Sequence, residues 1–500
     1  MNRRYLPPLF FLALALGMIA GMALERSQTP SETPYRGARI DELLNLIDRD
    51  YLKPINTDSL LDVVMDGLLR ELDPHSVYLS GADAEEATGE LEGILEGIGI
   101  EFRIYRDTAV VMELIEGGPA QSAGLQRGDR IYRIDKNTYT GPLLSTDALV
   151  NALRGPKGTT VELTVRRASR HQKQTLRLKR DRMQQSSVSS ALMLESDIAY
   201  IRLERFSEDA YPEMRHQLEQ LLHKGMRKLV LDLRGNPGGY MQSAQGIADE
   251  FLAGDAVIVR TENREGLQRE YRATQNGFFE VGAMAVLLDE ESASASEVLA
   301  GALQDHERAT VVGRRSFGKG LVQEEVALSD GSKVRLTHLR YFTPSGRSLQ
   351  RSYEQGDQAY YEEAVRNRLD TGGVELGGIR PDVFVPDTLS PEEWTFYAQI
   401  PPDSVQSLSM RFWDANRMAL NRTGAEAWMR TQRTEMTAWN SSTWTLLARA
   451  LPLELHPWAF ERFKQEVLYR AFAHEERAVL ELKTDPDVQK ALELLKNKTP

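Results

Sequence analysis

The 500-residue chain contains no cysteine. That absence removes a thiol nucleophile, a zinc site built on thiolates and a disulfide framework, and it fits a compartment where a stray thiol would be oxidised. It also excludes a lipid-modified cysteine, so membrane attachment would have to come from a hydrophobic segment. Basic residues are in deficit: 61 Lys and Arg against 73 Asp and Glu give a formal net charge of −12. A nucleic-acid binder would show a basic surface instead, so no nucleic-acid partner is expected. There is no H-E-x-x-H motif or comparable ligand cluster, no G-x-S-x-G elbow and no internal repeat, so neither a metal nor another cofactor is expected.

The chain does contain enough apolar residues, 41 %, for a full core divided among several domains. One long apolar run, residues 6–24, follows Arg3 and Arg4 and is interrupted early by Pro7 and Pro8. It is near the length of about 20 residues that spans a bilayer, and its positive flank belongs on the cytoplasmic side. Gly21 and Ala23 make a poor small-x-small cleavage site, which favours an uncleaved anchor over a cleaved signal peptide. On either reading the remainder faces outward.

A polar stretch at 25–36 reads as a linker. Ile40, Leu43, Leu44 and Ile47, then Leu60, Leu61, Val64, Leu68 and Leu69, form two helical stripes. The second stripe ends at Leu72-Asp73-Pro74-His75-Ser76, because the residue before a proline leaves the helical region; this segment reads as a fixed turn and its packing. Residues 97–182 change to short strands and turns. From 199 to about 386 apolar strands (199–203, 228–233, 285–288, 310–312) alternate with helices, the pattern of an α/β layer architecture. Beyond 387 the chain turns helical and carries six tryptophans, Trp394, Trp413, Trp428, Trp439, Trp444 and Trp458, more in keeping with a core than with a binding surface.

Three segments could carry chemistry. Strand 285–288 runs into Ser292-Ala293-Ser294-Ala295-Ser296-Glu297 and then a helix over 298–305. A serine at such a turn lies near free N–H groups where negative charge is favoured, although serines at a helix start are also ordinary caps. Gly313-Arg314-Arg315-Ser316-Phe317-Gly318-Lys319-Gly320 nearly matches a phosphate-binding loop. Gly320 replaces the Ser/Thr that would hold magnesium, and a strand rather than a helix follows, so that reading fails. A lysine flanked by glycines can instead be held close to another chain segment. Asp232-Leu233-Arg234-Gly235-Asn236-Pro237-Gly238-Gly239 ends a strand ahead of a helix over 243–251. It reads either as a tight turn or as a nest of N–H groups for an oxyanion.

These segments, in this order, resemble the carboxyl-terminal processing (tail-specific) proteases. Leu72-Asp73-Pro74-His75-Ser76, Gly97-Ile98-Gly99-Ile100, residues 124–129, Thr343-Pro344-Ser345-Gly346-Arg347 and Gly377-Gly378-Ile379-Arg380-Pro381-Asp382 share the resemblance, which covers about residues 38–388. The implied fold is an α/β protease core, crotonase/ClpP-like, with an inserted, mostly β PDZ domain and helical N- and C-terminal regions. The implied division is a signal anchor or signal peptide at 1–26, a linker at 27–37, a helical region at 38–90, the PDZ domain at 91–182, a serine–lysine protease core at 183–388 and a helical region at 389–500. Among the three serines the resemblance places the nucleophile at Ser294, with Lys319 as general base and Gln323 orienting it. Four residues apart on a strand, Lys319 and Gln323 would share one face. It also implies an oxyanion hole at Ala295 with Gly238 or Gly239, and a peptide-carboxylate loop at Gly97, Ile98, Gly99 and Ile100.

The implied function is a serine endopeptidase of the bacterial cell envelope, inner-membrane anchored or periplasmic, that recognises flexible apolar C-terminal tails through its PDZ domain. Its partners would be protein or peptide substrates with free C-termini and the membrane, with a homodimer or an adaptor protein left open. The alternative is a catalytically silent PDZ scaffold, which would have no reason to keep Ser294, Lys319 and Gln323 together. A working base requires a neutral lysine, so the pKa must fall by about 3 units, a cost on the order of 4 kcal/mol that burial can supply. Phe317, Leu321 and Val322 would keep the site dry, and Glu297 is expected to cap its helix rather than reach the amine. The rival pair Asp305-His306 reads as a structural helix end.

Overall fold

The computed structural model describes residues 37–105, 107–167, 173–274, 277–366, 377–386, 403–434, 456–472 and 474–497. The apolar N-terminal run, the linker through residue 36, and Trp394, Trp439 and Trp444 lie outside the described residues. Among the described residues no helix is long and apolar enough to cross a membrane.

The chain divides into two compact units, residues 1–72 and 73–500. The first holds the two helices expected from the apolar stripes, Ala38–Asp50 and Thr57–Arg70. Asn56 starts the second by accepting the N–H groups of Asp58 and Ser59, which have no partner inside the helix.

The second unit is organised around a six-stranded sheet in the order Val188–Met193, Ile198–Leu203, Lys228–Asp232, Met284–Leu288, Thr310–Gly313, Val383–Phe384. The first pair is antiparallel and the remaining pairs are parallel. Parallel strands need cover on both faces, and the two-residue alternation along each strand divides the work. Ile201, Leu229, Leu231, Val286 and Leu288 pack against residues of the helices Ala210–His223, Met241–Asp249 and Ala295–Asp305. Tyr200, Val230, Ala285 and Leu287 face the other way, onto Val488, Ala491, Leu492 and Leu495 of the helix Pro486–Lys496. At roughly 1.5–3 kcal/mol for each buried Val or Leu, that last helix is firmly docked. The helical tail, whose role sequence patterning leaves open, therefore supplies the second layer of the core.

Ile94–Gly97 pairs with Asp181–Gln184 as a two-stranded ribbon bracketing an antiparallel sheet. Its main strands run Ile100–Tyr105, Thr108–Leu114, Arg130–Ile134, Thr160–Arg166, Lys173–Lys179. Val111, Ile131, Val161 and Leu163 form its own core with Leu149, from the helix Thr146–Leu153. On the opposite face Val110 and Met112 join Trp413, Trp428, Phe463 and Val467 of the C-terminal helices, so both described tryptophan side chains are core. A third sheet contains the long hairpin Leu321–Ala327/Lys333–Phe342, joined by Val77–Leu79, Val257–Glu262 and Gln268–Arg272. Lys333–Phe342 gave no separate signal in the sequence, because it alternates intermediate and exposed residues along most of its length.

Candidate active site

Three loops leave the carboxyl ends of adjacent parallel strands: 233–240, 289–294 and 314–320. This edge of an open α/β sheet is where ligand-binding loops gather. The loops carry Gly238 and Gly239, Ser294, and Lys319 respectively.

The three candidate serines differ sharply. Ser292 Oγ donates to the carbonyl of Leu233 at 2.9 Å, and Ser296 Oγ donates to the carbonyl of Asn236 at 2.9 Å; both residues are fully buried. These two staple the serine loop to the glycine loop. Ser294 is only half-buried, and it occupies the N-cap of the helix Ala295–Asp305, where it forms a capping box with Glu297. Its backbone has φ 55° and ψ −110°, a left-handed conformation that costs a non-glycine residue about 1–3 kcal/mol.

Glu297 holds this strained turn. Its fully buried carboxylate accepts Ser294 N–H and Lys319 N–H through Oε2, each at 2.8 Å, and Gly318 N–H at 2.7 Å and Ser316 Oγ at 2.5 Å through Oε1. Two such bonds to one oxygen limit the separation of the Ser294 and Lys319 nitrogens to twice the bond length. Burial raises the Glu297 pKa, and the four donated bonds offset part of that. As expected, Glu297 meets the helix N-terminus; beyond that expectation, it also grips the backbone of the lysine loop.

Lys319 keeps some exposed surface as a residue, yet its amine lies among densely packed atoms. Burial, assisted by the positive charge of Arg335, lowers its pKa to about 8, while Glu297 and Asp73 pull the other way. Lys319 Nζ donates to Gln323 Oε1 at 2.8 Å. The expected reason for this pairing needs correction. Lys319 lies before the strand Leu321–Ala327, and the pairing register shifts between Val322 and Gln323, so a shared strand face is not what joins them.

The amide of Gln323 is instead oriented from outside. Its Nε2 donates to the carbonyl of His75, which leaves Oε1 for the lysine. Asp73 fixes that carbonyl by accepting His75 N–H and Ser76 N–H, both at 2.8 Å, and Ser76 Oγ at 2.7 Å. The Asp-Pro-His-Ser turn is thus part of the site, and no local pattern reveals it because its target lies 248 residues later. The His75 ring meets Tyr360 Oη at 2.8 Å. Burial, then the charge of Lys319, lowers the His75 pKa to about 4, so the ring is neutral at ordinary pH. Phe317 stands edge-on to Tyr360 at 5.7 Å between ring centres, and Leu321 is buried.

The glycine pair resolves into two different roles. Gly238 N–H donates to Asn236 Oδ1 at 2.9 Å, so it is not a free oxyanion donor. A Cβ there would come within 3.0 Å of Ala293 O, Ser294 Cβ and Ala295 N, which explains the glycine. The Gly238 carbonyl accepts Phe206 N–H, and the planar trans peptide turns the Gly239 N–H to the opposite side. Among the described residues neither Gly239 N–H nor Ala295 N–H has a backbone acceptor. The Asp305-His306 pair points elsewhere: His306 Nε2 meets the carbonyl of Val257 at 2.7 Å and Asp305 accepts Ser345 N–H at 2.8 Å.

In the antiparallel domain, Gly97 closes the ribbon and Ile100 opens the edge strand. Between them the carbonyls of Ile98 and Gly99 accept Ala120 N–H and Ile115 N–H. Among the described residues the edge strand Ile100–Tyr105 has a neighbour on one side only. Among the described residues no group of His, Asp and Glu is placed to hold a metal ion.

Residues 197–358 match the model of peptidase family S41, and residues 110–167 match that of the PDZ domain. The carboxy-terminal-processing protease of Bartonella bacilliformis is 34 % identical over 318 residues, 63 % of this chain and 72 % of that protein. The carboxyl-terminal-processing protease of Synechocystis is 34 % identical over 361 residues, 67 % of this chain and 83 % of that protein. Among solved structures, a photosystem II D1 C-terminal processing protease aligns with TM-score 0.39 at 26 % identity, covering 70 % of this chain and 93 % of that one. The chain therefore belongs to the carboxy-terminal-processing proteases, PDZ-containing serine-type peptidases of family S41.

Proposed function

We propose that the chain cuts peptide bonds with a Ser294–Lys319 dyad and selects substrates by their free C-terminal tails. The observation that carries this reading is the Glu297 carboxylate, one oxygen of which holds the backbone of both Ser294 and Lys319. Neutral Lys319 removes the Ser294 proton as Oγ attacks the scissile carbonyl. The N–H groups of Ala295 and Gly239 receive the oxyanion, the ammonium of Lys319 returns its proton to the departing amine, and water then releases the acyl group from Ser294. Gln323, oriented by His75, keeps the amine aimed.

Glu297→Gln is expected to reduce kcat by roughly 10–100-fold, because an amide in place of one carboxylate oxygen faces N–H groups it cannot accept and the loops drift apart. Steady-state kinetics alongside circular dichroism checks this; a folded variant with parental kcat would sink the bridging role.

The free edge of Ile100–Tyr105 suits an added peptide strand, with the Gly97–Ile100 loop taking the terminal carboxylate. That loop adjoins the ribbon: a Cβ at Gly99 would come 2.6 Å from Met183 Sδ, on the strand paired with Ile94–Gly97. Tail binding thus acts beside the connection between the two domains, which supports a gating role for the PDZ domain as well as delivery. A pair of otherwise identical substrates, one with a free and one with an amidated C-terminus, tests it. The free acid is expected to be cleaved at least about tenfold faster, since one lost charge-assisted contact is worth roughly 1.5–3 kcal/mol; equal rates would remove tail selection. The envelope location is supported by Arg3 and Arg4 ahead of the apolar run and by the absence of cysteine, and protease accessibility in spheroplasts checks it.

A further inference from the structure

The helix Pro486–Lys496 carries none of the peptidase motifs, yet its start reaches two of the three catalytic loops directly and the third through Arg314. Asp485, its N-cap, holds Val488 N–H with Oδ1 and takes Arg234 Nη1 with both oxygens, at 3.0 and 2.9 Å. Asp487 accepts the same Arg234 Nη1 at 2.8 Å and Arg314 Nη1 at 3.3 Å, both through Oδ2. Arg234 also folds back onto the fully buried Asp232, and Arg314 Nε donates to Glu290 Oε2 at 3.0 Å.

The spacing along the chain gives this cluster its meaning. Arg234 stands five residues before Gly239, Glu290 four before Ser294, and Arg314 five before Lys319. Each loop thus has one charged residue near its root: Arg234 and Arg314 meet carboxylates on one distant helix, and Glu290 joins them through Arg314. That helix is fixed independently of the cluster by Val488, Ala491, Leu492 and Leu495 on the sheet face and by Lys228 Nζ donating to the carbonyl of Leu495 at 2.9 Å. Carboxylates carried on a docked helix hold their partners more sharply than carboxylates on a loop.

We infer that Asp487, with Asp485, is a positioning residue for peptide hydrolysis, acting as a keystone that sets the oxyanion, serine and lysine loops relative to one another. The inference rests on the assignment of Ser294, Lys319 and Gly239 proposed above. The same C-terminal region also holds the PDZ sheet: Arg127 Nη2 donates to the carbonyl of Tyr469 at 3.1 Å, and Tyr469 Oη meets Glu101. One stretch of chain therefore grips both the tail-reading sheet and the cutting loops.

The test compares two variants of the full chain. Asp487→Asn keeps the shape but removes the charge from both arginines; Val488→Ala loosens the helix and keeps every carboxylate. Asp487→Asn is expected to lose kcat by about 10–100-fold with KM within twofold, the behaviour of misplaced catalytic groups. Val488→Ala, even with an equal or larger fall in Tm, is expected to keep kcat within twofold at a temperature well below Tm. Parental kcat in Asp487→Asn, or parallel losses of kcat in both variants, would overturn the inference. Ser294→Ala and Lys319→Ala run alongside separate the two levels. If they stay active the dyad is wrong; if they are dead while Asp487→Asn is fast, only the keystone is wrong.

Discussion

Ser294→Ala is expected to reduce peptide hydrolysis by about 10⁴-fold or more, to the residual level that binding and the oxyanion donors supply alone. The neighbouring serines provide an internal control that the geometry makes sharp. Ser292→Ala and Ser296→Ala each strip a buried carbonyl, Leu233 O or Asn236 O, of its hydroxyl donor. Each carbonyl keeps a backbone donor, Asn236 N–H for Leu233 and Ala293 N–H for Asn236. The loss is therefore one buried hydrogen bond, about 0.5–1.5 kcal/mol, and these variants should lose stability first and retain measurable turnover. Ser294→Ala should lose turnover first, because the Ser294 hydroxyl serves only the local capping box of its own helix. Digestion of an unstructured protein followed by mass spectrometry, with thermal unfolding on the same samples, checks both halves. Full activity in Ser294→Ala would end the dyad mechanism.

Lys319→Ala is expected to cause a loss of similar order, since a serine without its base is a weak nucleophile at neutral pH. The pH profile of the parent enzyme reports on the same group. With the Lys319 pKa lowered to about 8, only the neutral fraction acts as base. The rate should therefore climb about tenfold per pH unit below that value and level off above it. The sign of the Arg335 contribution gives a second check. Its positive charge lowers the lysine pKa, so Arg335→Gln should move the rising limb to higher pH and slow the reaction at pH 7. A profile that falls through pH 8, or that ignores Arg335, would contradict a lysine base. The linked stability runs the same way. Between the folded value near 8 and the unfolded value, the unfolded chain binds a proton that the folded chain does not. The contribution of Lys319 to stability thus rises with pH across that window.

Much of the protein is written locally. Apolar runs mark the central parallel strands to within a residue, because strands covered on both faces must be apolar throughout. The Gly-Gly turn, the Ser-Ala run and Gly-Lys-Gly stand out because each needs an unusual backbone: positive φ at Gly238, Gly239 and Ser294, and a close approach at Gly320, where a Cβ would lie 2.4 Å from Gln350 N. Such needs restrict residue type at the position itself, so they survive in the sequence.

What the sequence could not determine was which partners those residues take. Three serines were chemically equivalent until the positions of Leu233 and Asn236 occupied two of them. Gly238 and Gly239 were equivalent until Asn236 took one N–H group. Lys319 and Gln323 meet not through strand alternation but because the carbonyl of His75, 248 positions earlier, orients an amide. The carboxylates that hold Arg234 and Arg314 come from a tail with no motif of its own. Hydrogen bonds between segments hundreds of residues apart leave no periodicity behind. The type and neighbourhood of the proposed nucleophile were therefore set locally, while its surroundings and the orientation of the proposed base were decided by tertiary structure.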